Sequence, residues 1–434
     1  MTGSRPAPAG RPVVRERWDA RRRILLAVLS GNMLLDAVEV SVVLIALPTI
    51  ADRLGLSPLA AQWLMSGFAL GFAVLLPLGP VLAGRVGRRP VYLGAMLLFG
   101  LASVVGGLVD GLAVLVVIRL LKGACAALTA PMGLAIISDV FPDGPQRRRA
   151  LAVYSLFGAG GFTSGLLLGG VLLEAGWRWV FVFPAPVALV LFLGGMRVLP
   201  GTHSGARPGL PRPALLREGS LLRSALGAAI LNGTYQSLLL VMVFQSMGGF
   251  GWAPWFTALA LLPACLPLAV TIPFAGRLIA RYGGGRLITL GALFPLLGYG
   301  LYLARPEGSP YALGMLPALL LVEAGFCCSF VALNMRATAS LAPADRGAAV
   351  SLYQMCVQLG AAVLLPLVAL LLTHGDGPRP ALTLITAAGA LGLLVPLAVH
   401  RVSARSDPGP DPRAPDGPAP HPSRTPPQGD LPHG

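Results

Sequence analysis

The sequence has little charge for its length. Only 12% of its 434 residues are Asp, Glu, Lys or Arg, whereas soluble globular proteins average roughly 25%. Hydrophobic residues make up 55%, and between residues 24 and 400 they form successive runs of roughly 18 residues or more, each long enough to span a bilayer as a helix. The runs lack the period-2 alternation of a membrane barrel. These features exclude a secreted domain, a peripheral enzyme and a single-pass receptor, and they indicate an all-α polytopic membrane protein.

Motifs for covalent chemistry are also missing. The chain has neither Cys-x-x-Cys spacing nor a G-x-x-x-x-G-K-[ST] loop for ATP, and its five cysteines all fall inside apolar runs. Three of the five histidines lie in the predicted tail or connector. We therefore expect no enzyme activity, no cofactor and no metal site. The formal net charge of +15 is scattered between the apolar runs, so we expect no nucleic-acid partner.

The apolar runs predict twelve transmembrane helices. Their approximate bounds are 24–48, 60–83, 90–109, 112–138, 150–173, 178–197, 223–246, 254–280, 286–304, 311–335, 346–372 and 381–400. This count leaves Arg53, Arg178, Arg305 and Arg379 on one side of the membrane and the other arginine clusters on the opposite side. Because cytoplasmic loops carry the excess of Lys and Arg, we expect both termini to be cytoplasmic and the chain to be a multi-pass protein of the cytoplasmic membrane.

The longest internal break divides the twelve spans into two sets of six. Arg85 and Gly87 after span 2 have counterparts in Arg281 and Gly283 after span 8, which indicates two pseudo-symmetric six-helix bundles. The predicted segments are a disordered N-terminus 1–22, a first bundle 23–197, a cytoplasmic linker 198–222, a second bundle 223–402 and a disordered Pro-rich tail 403–434. We expect the chain to be a monomer in the lipid bilayer.

Several first-half motifs carry a family resemblance. Residues 79–89 (GPVLAGRVGRR) resemble the signature G-x-L-A-D-R-x-G-R-R of the major facilitator superfamily. Residues 39–48 (EVSVVLIALP), 119–123 (RLLKG) and 165–170 (GLLLGG) resemble motifs of its drug:proton antiporter branch, as does WRWVF at 177–181. The chain is thus identified as a divergent twelve-span member of this branch. Gly84 replaces the signature's Asp, so the charge expected to face Arg88 and Arg89 is missing.

The resemblance implies roles for these residues. It implies alternating access by two rocking bundles, with Glu39 at the acidic position of the first-span motif. It implies a cytoplasmic gating loop made of Gly79, Arg85, Gly87, Arg88 and Arg89. It also implies that a glycine stripe on span 5 lies at the interface between the bundles, with ordinary close packing of helices as the alternative: Gly161, Gly165, Gly169 and Gly170.

Two pairs of opposite charge lie inside predicted spans 1 and 4. Asp36 and Glu39 are three residues apart on one helical face, as are Arg119 and Lys122, the only lysine. At ~1.5 Å per residue, Asp36 lies ~12 Å and Arg119 ~10 Å from the same boundary of a ~30 Å hydrocarbon core. Intramembrane charges cost roughly 2.5 to 3.5 kcal/mol each at a helix centre. We therefore expect the acidic pair to meet the basic pair.

Two interpretations of this cluster remain open. In the first, Glu39 or Asp36 carries a proton, Arg119 tunes that acid and Lys122 meets the substrate or a counter-ion; the motif position favours Glu39. In the second, the four charges form a permanently ionised cluster that joins spans 1 and 4. A neighbouring cation favours a charged carboxylate whereas a second carboxylate disfavours it, so the residues alone do not decide.

The second half offers one further acid and several neutral polar groups. Glu323 on span 10 is a third candidate for proton coupling; it is also able to attract a cationic substrate, to pair with Lys122 or to remain a neutral hydrogen-bonded acid. The neutral candidates either line a substrate cavity or form interhelical hydrogen bonds; they are Asn232, Tyr235, Gln236, Tyr353, Gln354 and Gln358.

Together these features predict a secondary transporter. We expect it to export a small amphipathic or cationic organic molecule, drug-like or a metabolite, in exchange for protons. Two alternatives stay open. One is a proton-independent facilitator or metabolite exporter, since Gly84 replaces the motif's acid. The other is a non-transporting receptor or scaffold built on a decayed transporter fold.

Overall fold

The computed structural model describes residues 18–201, 213–271, 274–306, 308–342, 345–375 and 377–405. Most of the predicted disordered N-terminus, residues 202–212 of the linker and nearly all of the predicted tail lie outside these residues. Where described, their edges are partly helical: the first helix begins at Ala20, and the last helix ends at Arg405. Within the described ranges the structure is helical, and the helices are joined by short turns.

Nine helices make up the first half of the described chain, with a 3₁₀ turn at Leu76–Leu78. They are α1 (Ala20–Leu54), α2 (Pro58–Ala61), α3 (Trp63–Leu75), α4 (Gly79–Val86), α5 (Arg88–Leu108), α6 (Leu112–Val140), α7 (Pro145–Ala175), α8 (Arg178–Val182) and α9 (Pro184–Val198).

Eight helices make up the second half of the described chain, with 3₁₀ turns at Pro213–Arg217 and Leu262–Ala264 and a π-helical turn at Gln245–Gly249. They are α10 (Gly219–Phe244), α11 (Pro254–Ala260), α12 (Leu266–Thr271), α13 (Ala275–Tyr282), α14 (Gly284–Ala304), α15 (Met315–Ala339), α16 (Arg346–His374) and α17 (Arg379–Arg405).

These helices follow the predicted twelve-span plan. Ten continuous or bent helices among the described residues are long and apolar enough to cross a membrane. They coincide with predicted spans 1 to 7 and 9 to 11. The remaining two spans correspond to the short helices α11 to α13 and to α17, of which residues 379–394 form an apolar helix.

Predicted span 8 is not a continuous helix. Helix α11 ends at Ala260, and the chain turns through a 3₁₀ segment before α12 begins at Leu266. Pro263 and Pro267 lie in this stretch. Since proline has no backbone N–H and its ring clashes with the preceding turn, the helix ladder cannot pass through unbroken. Prolines likewise coincide with the bend of span 2 between α3 and α4.

The predicted repeat is visible in both turns and packing. Gly87 joins α4 to α5 with φ of 100°, and Gly283 joins α13 to α14 with φ of 80°, a conformation open to glycine because it has no Cβ. In the first half α1 packs on α7 and α5 on α6; in the second half α10 packs on α16 and α14 on α15. The two halves therefore share one packing plan.

The described residues up to Pro396 form one compact unit, which contains both sets of helices. We call α1 to α9 the N-terminal bundle, and α10 to α16 with α17 up to Pro396 the C-terminal bundle. A second unit begins at Leu397, and its described part is the end of α17.

The glycine stripe on α7 lies mainly inside the N-terminal bundle, which corrects the expectation that it lies between bundles. A methyl group at Gly161 would come within 2.8 Å of the Leu34 carbonyl oxygen, and Gly165 and Gly169 face α1 in the same way. Their spacing of four residues puts them on one helix face, which lets the two backbones approach closely. Only Gly170 faces the C-terminal bundle, against Trp255 of α11.

Candidate functional site

Glu39 lies between two buried cations. Arg119 Nη1 donates to its Oε2 and Lys122 Nζ donates to its Oε1, each over 2.5 Å. The three side chains are at most 1% exposed. Glu39 on α1 thus meets both bases of α6, a contact that was expected of the acidic pair as a whole. Two cations share one carboxylate, so the triad carries a net positive charge.

Arg119 is held by more than its ion pair. Its Nε donates to the Leu64 carbonyl oxygen of α3 over 2.7 Å, and its guanidinium lies 4.7 Å from the centre of the Phe68 ring. Lys122 lies at the same distance over the ring of Phe99. These contacts fix both cations against aromatic faces, which attract cations through the ring quadrupole.

Asp36 does not join the ion pairs. Its Oδ2 accepts a hydrogen bond from Asn32 Nδ2 over 3.2 Å and a longer one from Thr129 Oγ1 over 3.4 Å. The residue is buried, with 8% exposed. The predicted meeting of acidic and basic pairs therefore holds for Glu39 and not for Asp36. Depth alone does not separate these two acids, which lie less than one helical turn apart on α1.

A small cavity of about 50 Å³ lies between the two bundles. Its described walls are apolar apart from one charged residue and two amides. They comprise Val40, Met65, Phe68, Ala69 and Arg119 from the N-terminal bundle, and Gln236, Gln358, Ala361 and Leu365 from the C-terminal bundle. Gln236 Oε1 is buried and has no hydrogen-bond partner among the described residues.

The other neutral polar candidates lie outside the described walls of this cavity. Asn232 Nδ2 donates to the Val357 carbonyl oxygen of α16 over 2.9 Å, and the Tyr235 hydroxyl donates to the Ala264 carbonyl oxygen over 2.5 Å. These are interhelical hydrogen bonds, one of the two roles left open by the sequence. Tyr353 is fully buried, and its hydroxyl has no partner within the described part of the chain; Gln354 is partly buried.

Glu323 lies within the C-terminal bundle, away from the triad's ion pairs. It is 1% exposed, and Cys327 Sγ donates to its Oε1 over 3.6 Å. Phe326 on the next turn packs against Tyr235 at 5.0 Å between ring centres. Lys122, its suggested partner, donates to Glu39 instead.

The residues of the predicted gating loop lie in α4, in the turn at Gly87 and at the start of α5. Arg88 makes an ion pair with Asp139 at the end of α6, and Arg89 Nη2 donates to the Met196 carbonyl oxygen of α9 over 2.6 Å. Arg85 is exposed. Asp139 thus supplies a carboxylate to Arg88 although Gly84 cannot, which corrects the expectation that this charge is missing.

Sequence reasoning missed three polar partners, and helical spacing could have found two of them. Asn32 lies four residues before Asp36, and Thr129 lies seven residues after Lys122; both spacings return to the same helix face. Asp139 follows the predicted end of span 4, where no motif points to it.

Comparison with known proteins adds the family context. The family model described as Major Facilitator Superfamily matches residues 29–335 and 225–427. The puromycin resistance protein Pur8 of Streptomyces alboniger is 31% identical over 405 residues, which cover 80% of each chain. The cephamycin export protein CmcT of Amycolatopsis lactamdurans is 35% identical over 244 residues, 56% of this chain and 45% of that protein, so the match spans less than half of CmcT's length.

A crystal structure of the nucleoside transporter NupG superposes with a TM-score of 0.71 at 12% identity. The alignment covers 86% of this chain and 99% of that one. At this identity the match concerns the fold alone.

Proposed function

The chain belongs to the major facilitator superfamily of membrane transporters, and we propose that it exports a small organic molecule by alternating access in exchange for protons. The observation that carries this proposal is the cavity between the bundles. Arg119 enters it from the N-terminal bundle, and Gln236 and Gln358 enter it from the C-terminal bundle. A site built by both bundles changes its access when they rock against each other.

The contacts between the bundles support a state closed at the predicted extracellular side. The backbone N–H of Leu59 at the start of α2 donates to Thr373 Oγ1 near the end of α16 over 3.1 Å. Gly170 near the end of α7 packs against Trp255 at the start of α11. Both contacts lie at the ends of helices that we assign to the extracellular side from the arginine distribution. Breaking them would open the cavity outward.

The names of the relatives support the substrate class in broad terms. Pur8 is described as a puromycin resistance protein and CmcT as a cephamycin export protein. The first description concerns resistance to an antibiotic, and the second concerns export of one. We extend this to the present chain as export of a drug-like molecule or a related metabolite across the cytoplasmic membrane, with both termini on the cytoplasmic side and the protein acting as a monomer.

The local geometry supports Asp36 as the proton carrier ahead of Glu39. Both Glu39 oxygens accept charge-assisted hydrogen bonds, so its protonation would leave two buried cations without a counter-charge. Among the described residues, Asp36 accepts only from the neutral groups of Asn32 and Thr129. Thr129 Oγ1 also lies 3.3 Å from two backbone carbonyl oxygens of its own helix. When Asp36 is protonated, it can donate to Thr129 Oγ1. The hydroxyl proton of Thr129 can then point to one of these carbonyl oxygens instead of to Asp36.

A second candidate function is proton-independent facilitated export. The observation that favours it is the same enclosure of Glu39, since a carboxylate fixed between Arg119 and Lys122 forms a permanently ionised joint between α1 and α6. In this case Asp36 would keep one protonation state throughout the cycle.

Flux measurements separate these functions. A resistance screen in a pump-deficient bacterial host, starting with puromycin, identifies a transported compound. Its flux is then measured in proteoliposomes with and without an imposed pH gradient. Flux that the gradient accelerates supports proton exchange, and passive flux of equal size in both conditions supports the facilitator. Absence of flux for every compound that gives resistance would support a receptor or scaffold.

The proton carrier is tested with Asp36→Asn, which keeps the side-chain size and removes the titratable group. We expect this variant to retain exchange of labelled for unlabelled substrate across the membrane but to lose acceleration by the pH gradient. Asp110→Asn, which removes an exposed carboxylate paired with Arg178, is the matched control and should behave as wild type. Full acceleration in Asp36→Asn would assign the proton to another group.

A further inference from the structure

The cavity between the bundles presents a cation and no carboxylate among its described walls. Arg119 lies in the wall, and Glu39 does not, although Val40 next to it does. The Glu39 carboxylate is 1% exposed, and each of its oxygens already accepts a hydrogen bond from a cation. A positively charged substrate would therefore meet the guanidinium rather than a free acid.

Arg119 keeps hydrogen-bonding capacity on the third nitrogen of its guanidinium. Its Nε is used by the Leu64 carbonyl oxygen and its Nη1 by Glu39, whereas Nη2 makes no hydrogen bond with the described residues. The contact with the Phe68 ring, itself part of the cavity wall, holds the guanidinium plane in place. A fixed guanidinium N–H is a strong donor to a carboxylate or another acidic oxygen.

The opposite wall carries an acceptor that lacks a donor. Gln236 Oε1 is buried without a hydrogen-bond partner among the described residues, and leaving such a group unpaired has a free-energy cost. Gln358 of α16 lies in the same wall. A bound molecule with an N–H or O–H group would satisfy Gln236, while Phe68, Met65 and Leu365 would contact its apolar part.

We propose that this cavity takes organic acids: an acidic oxygen accepts a hydrogen bond from Arg119 Nη2, and a neutral N–H or O–H group donates to Gln236. The inference rests on the proposed use of the cavity as the substrate site and does not depend on proton coupling. It departs from the expectation of cationic substrates, because the acids that suggested a cation are either paired, as Glu39 is, or absent from these walls, as Asp36 and Glu323 are.

Three probes with one ring system test the charge preference: 1-naphthaleneacetic acid, its primary amide and 2-(1-naphthyl)ethylamine. Their binding to the purified full-length protein is measured by isothermal titration calorimetry at pH 7, where the acid is anionic and the amine cationic. We expect the acid to bind at least about tenfold tighter than the amine, with the amide between them. Equal or tighter binding of the amine, or no binding of the acid, would overturn the proposal.

Two substitutions at one position sharpen the test. Gln236→Glu adds a carboxylate with almost no change of shape, and we expect it to weaken binding of the acid at least about tenfold and to raise binding of the amine. Gln236→Leu removes the unpaired acceptor; it should weaken the amide and preserve the preference for the acid over the amine. Gln146→Glu makes the same chemical change at the start of α7, outside the described cavity walls. It should keep the wild-type order of affinities, with the acid tightest and the amine weakest.

Failure of this inference is distinguishable from failure of the proposed function. If the acid binds in the expected order but no probe crosses the membrane in proteoliposomes, the cavity assignment stands and transport is refuted. If amines are transported and bound in preference to acids, transport stands and the acid specificity is refuted. A loss of acid preference in Gln146→Glu equal to that in Gln236→Glu would also refute it, because the effect would then not arise in the cavity.

Discussion

Removing the carboxylate of the buried triad should destabilise the protein far more than removing one of its cations. The wild-type triad has two positive charges and one negative charge, a net +1. Glu39→Gln leaves Arg119 and Lys122 together at +2, whereas Lys122→Met leaves a neutral Glu39–Arg119 pair whose 2.5 Å hydrogen bond is intact. The two variants therefore move the buried charge in opposite directions.

Magnitudes follow from the burial of these groups. Removing the only counter-charge of a buried ion pair costs about 3–5 kcal/mol, because an uncompensated charge stays in a medium that solvates it poorly. Lys122→Met loses one charge-assisted hydrogen bond, ~1.5–3 kcal/mol, but it also removes the excess charge and leaves an apolar side chain over the Phe99 ring. We expect a net cost below about 2 kcal/mol for this variant.

The free energy of unfolding is measured in mixed detergent micelles by following tryptophan fluorescence. Arg178→Met is the control, because its ion pair with Asp110 is about half exposed on both sides and should be worth ~1 kcal/mol or less. The expected order of destabilisation is Glu39→Gln first, Lys122→Met second and the control last. A Lys122→Met variant that loses as much stability as Glu39→Gln would refute the argument that excess positive charge decides the energetics.

Three further predictions concern packing and gating. Gly161→Ala should lower the free energy of unfolding by ~1–3 kcal/mol, because the added methyl group would press on α1. Gly160→Ala is the control, because its methyl group would meet open space and should leave the free energy of unfolding unchanged. Equal effects of the two substitutions would contradict the close packing of α7 on α1. Thr373→Val removes one inter-bundle hydrogen bond of ~1 kcal/mol. The ratio of open to closed molecules should therefore rise roughly fivefold, which spin labels on the adjoining ends of α2 and α16 would detect as a larger population at longer distances. An unchanged distance distribution would rule out a gating role. Asp139→Asn should change stability by ~1 kcal/mol or less, since its ion pair with Arg88 is partly exposed, and a larger loss would mean a buried interaction.

Much of the fold could be predicted from the sequence, because a bilayer requires apolar runs of a fixed minimum length and these runs are visible in the sequence. The length of the apolar runs predicted the spans, because the thickness of the bilayer sets how long a spanning helix must be. The match of Gly87 to Gly283 predicted the repeat, because a turn with positive φ favours glycine. The break of span 8 was missed because the apolar composition continues through Pro263 and Pro267, and hydropathy does not register a missing N–H. The glycine stripe was recognised, but its neighbour was not, because small residues at one spacing suit any close helix pair.

The site could be predicted only to the level of helix depth. Depth along α1 and α6 brings Glu39 to Arg119 and Lys122, yet it does not distinguish Glu39 from Asp36, which differ by less than a turn. Which of the two acids meets the bases depends on rotation of α1 against α6, and the closely packed glycines of α7 help to set that rotation. The cavity walls depend in addition on the approach of the C-terminal bundle, for which single helices carry no signal.

The burial of Lys122 has a practical consequence. It is the only lysine in the sequence, and its amine is fully enclosed between Glu39 and the Phe99 ring. An electrophile that modifies amines therefore has a single lysine target in this protein, and that side chain is shielded from the solvent. The rate of Lys122 acylation, measured by mass spectrometry of the peptide that contains it, would report how often the interior of the N-terminal bundle opens to a reagent dissolved in water.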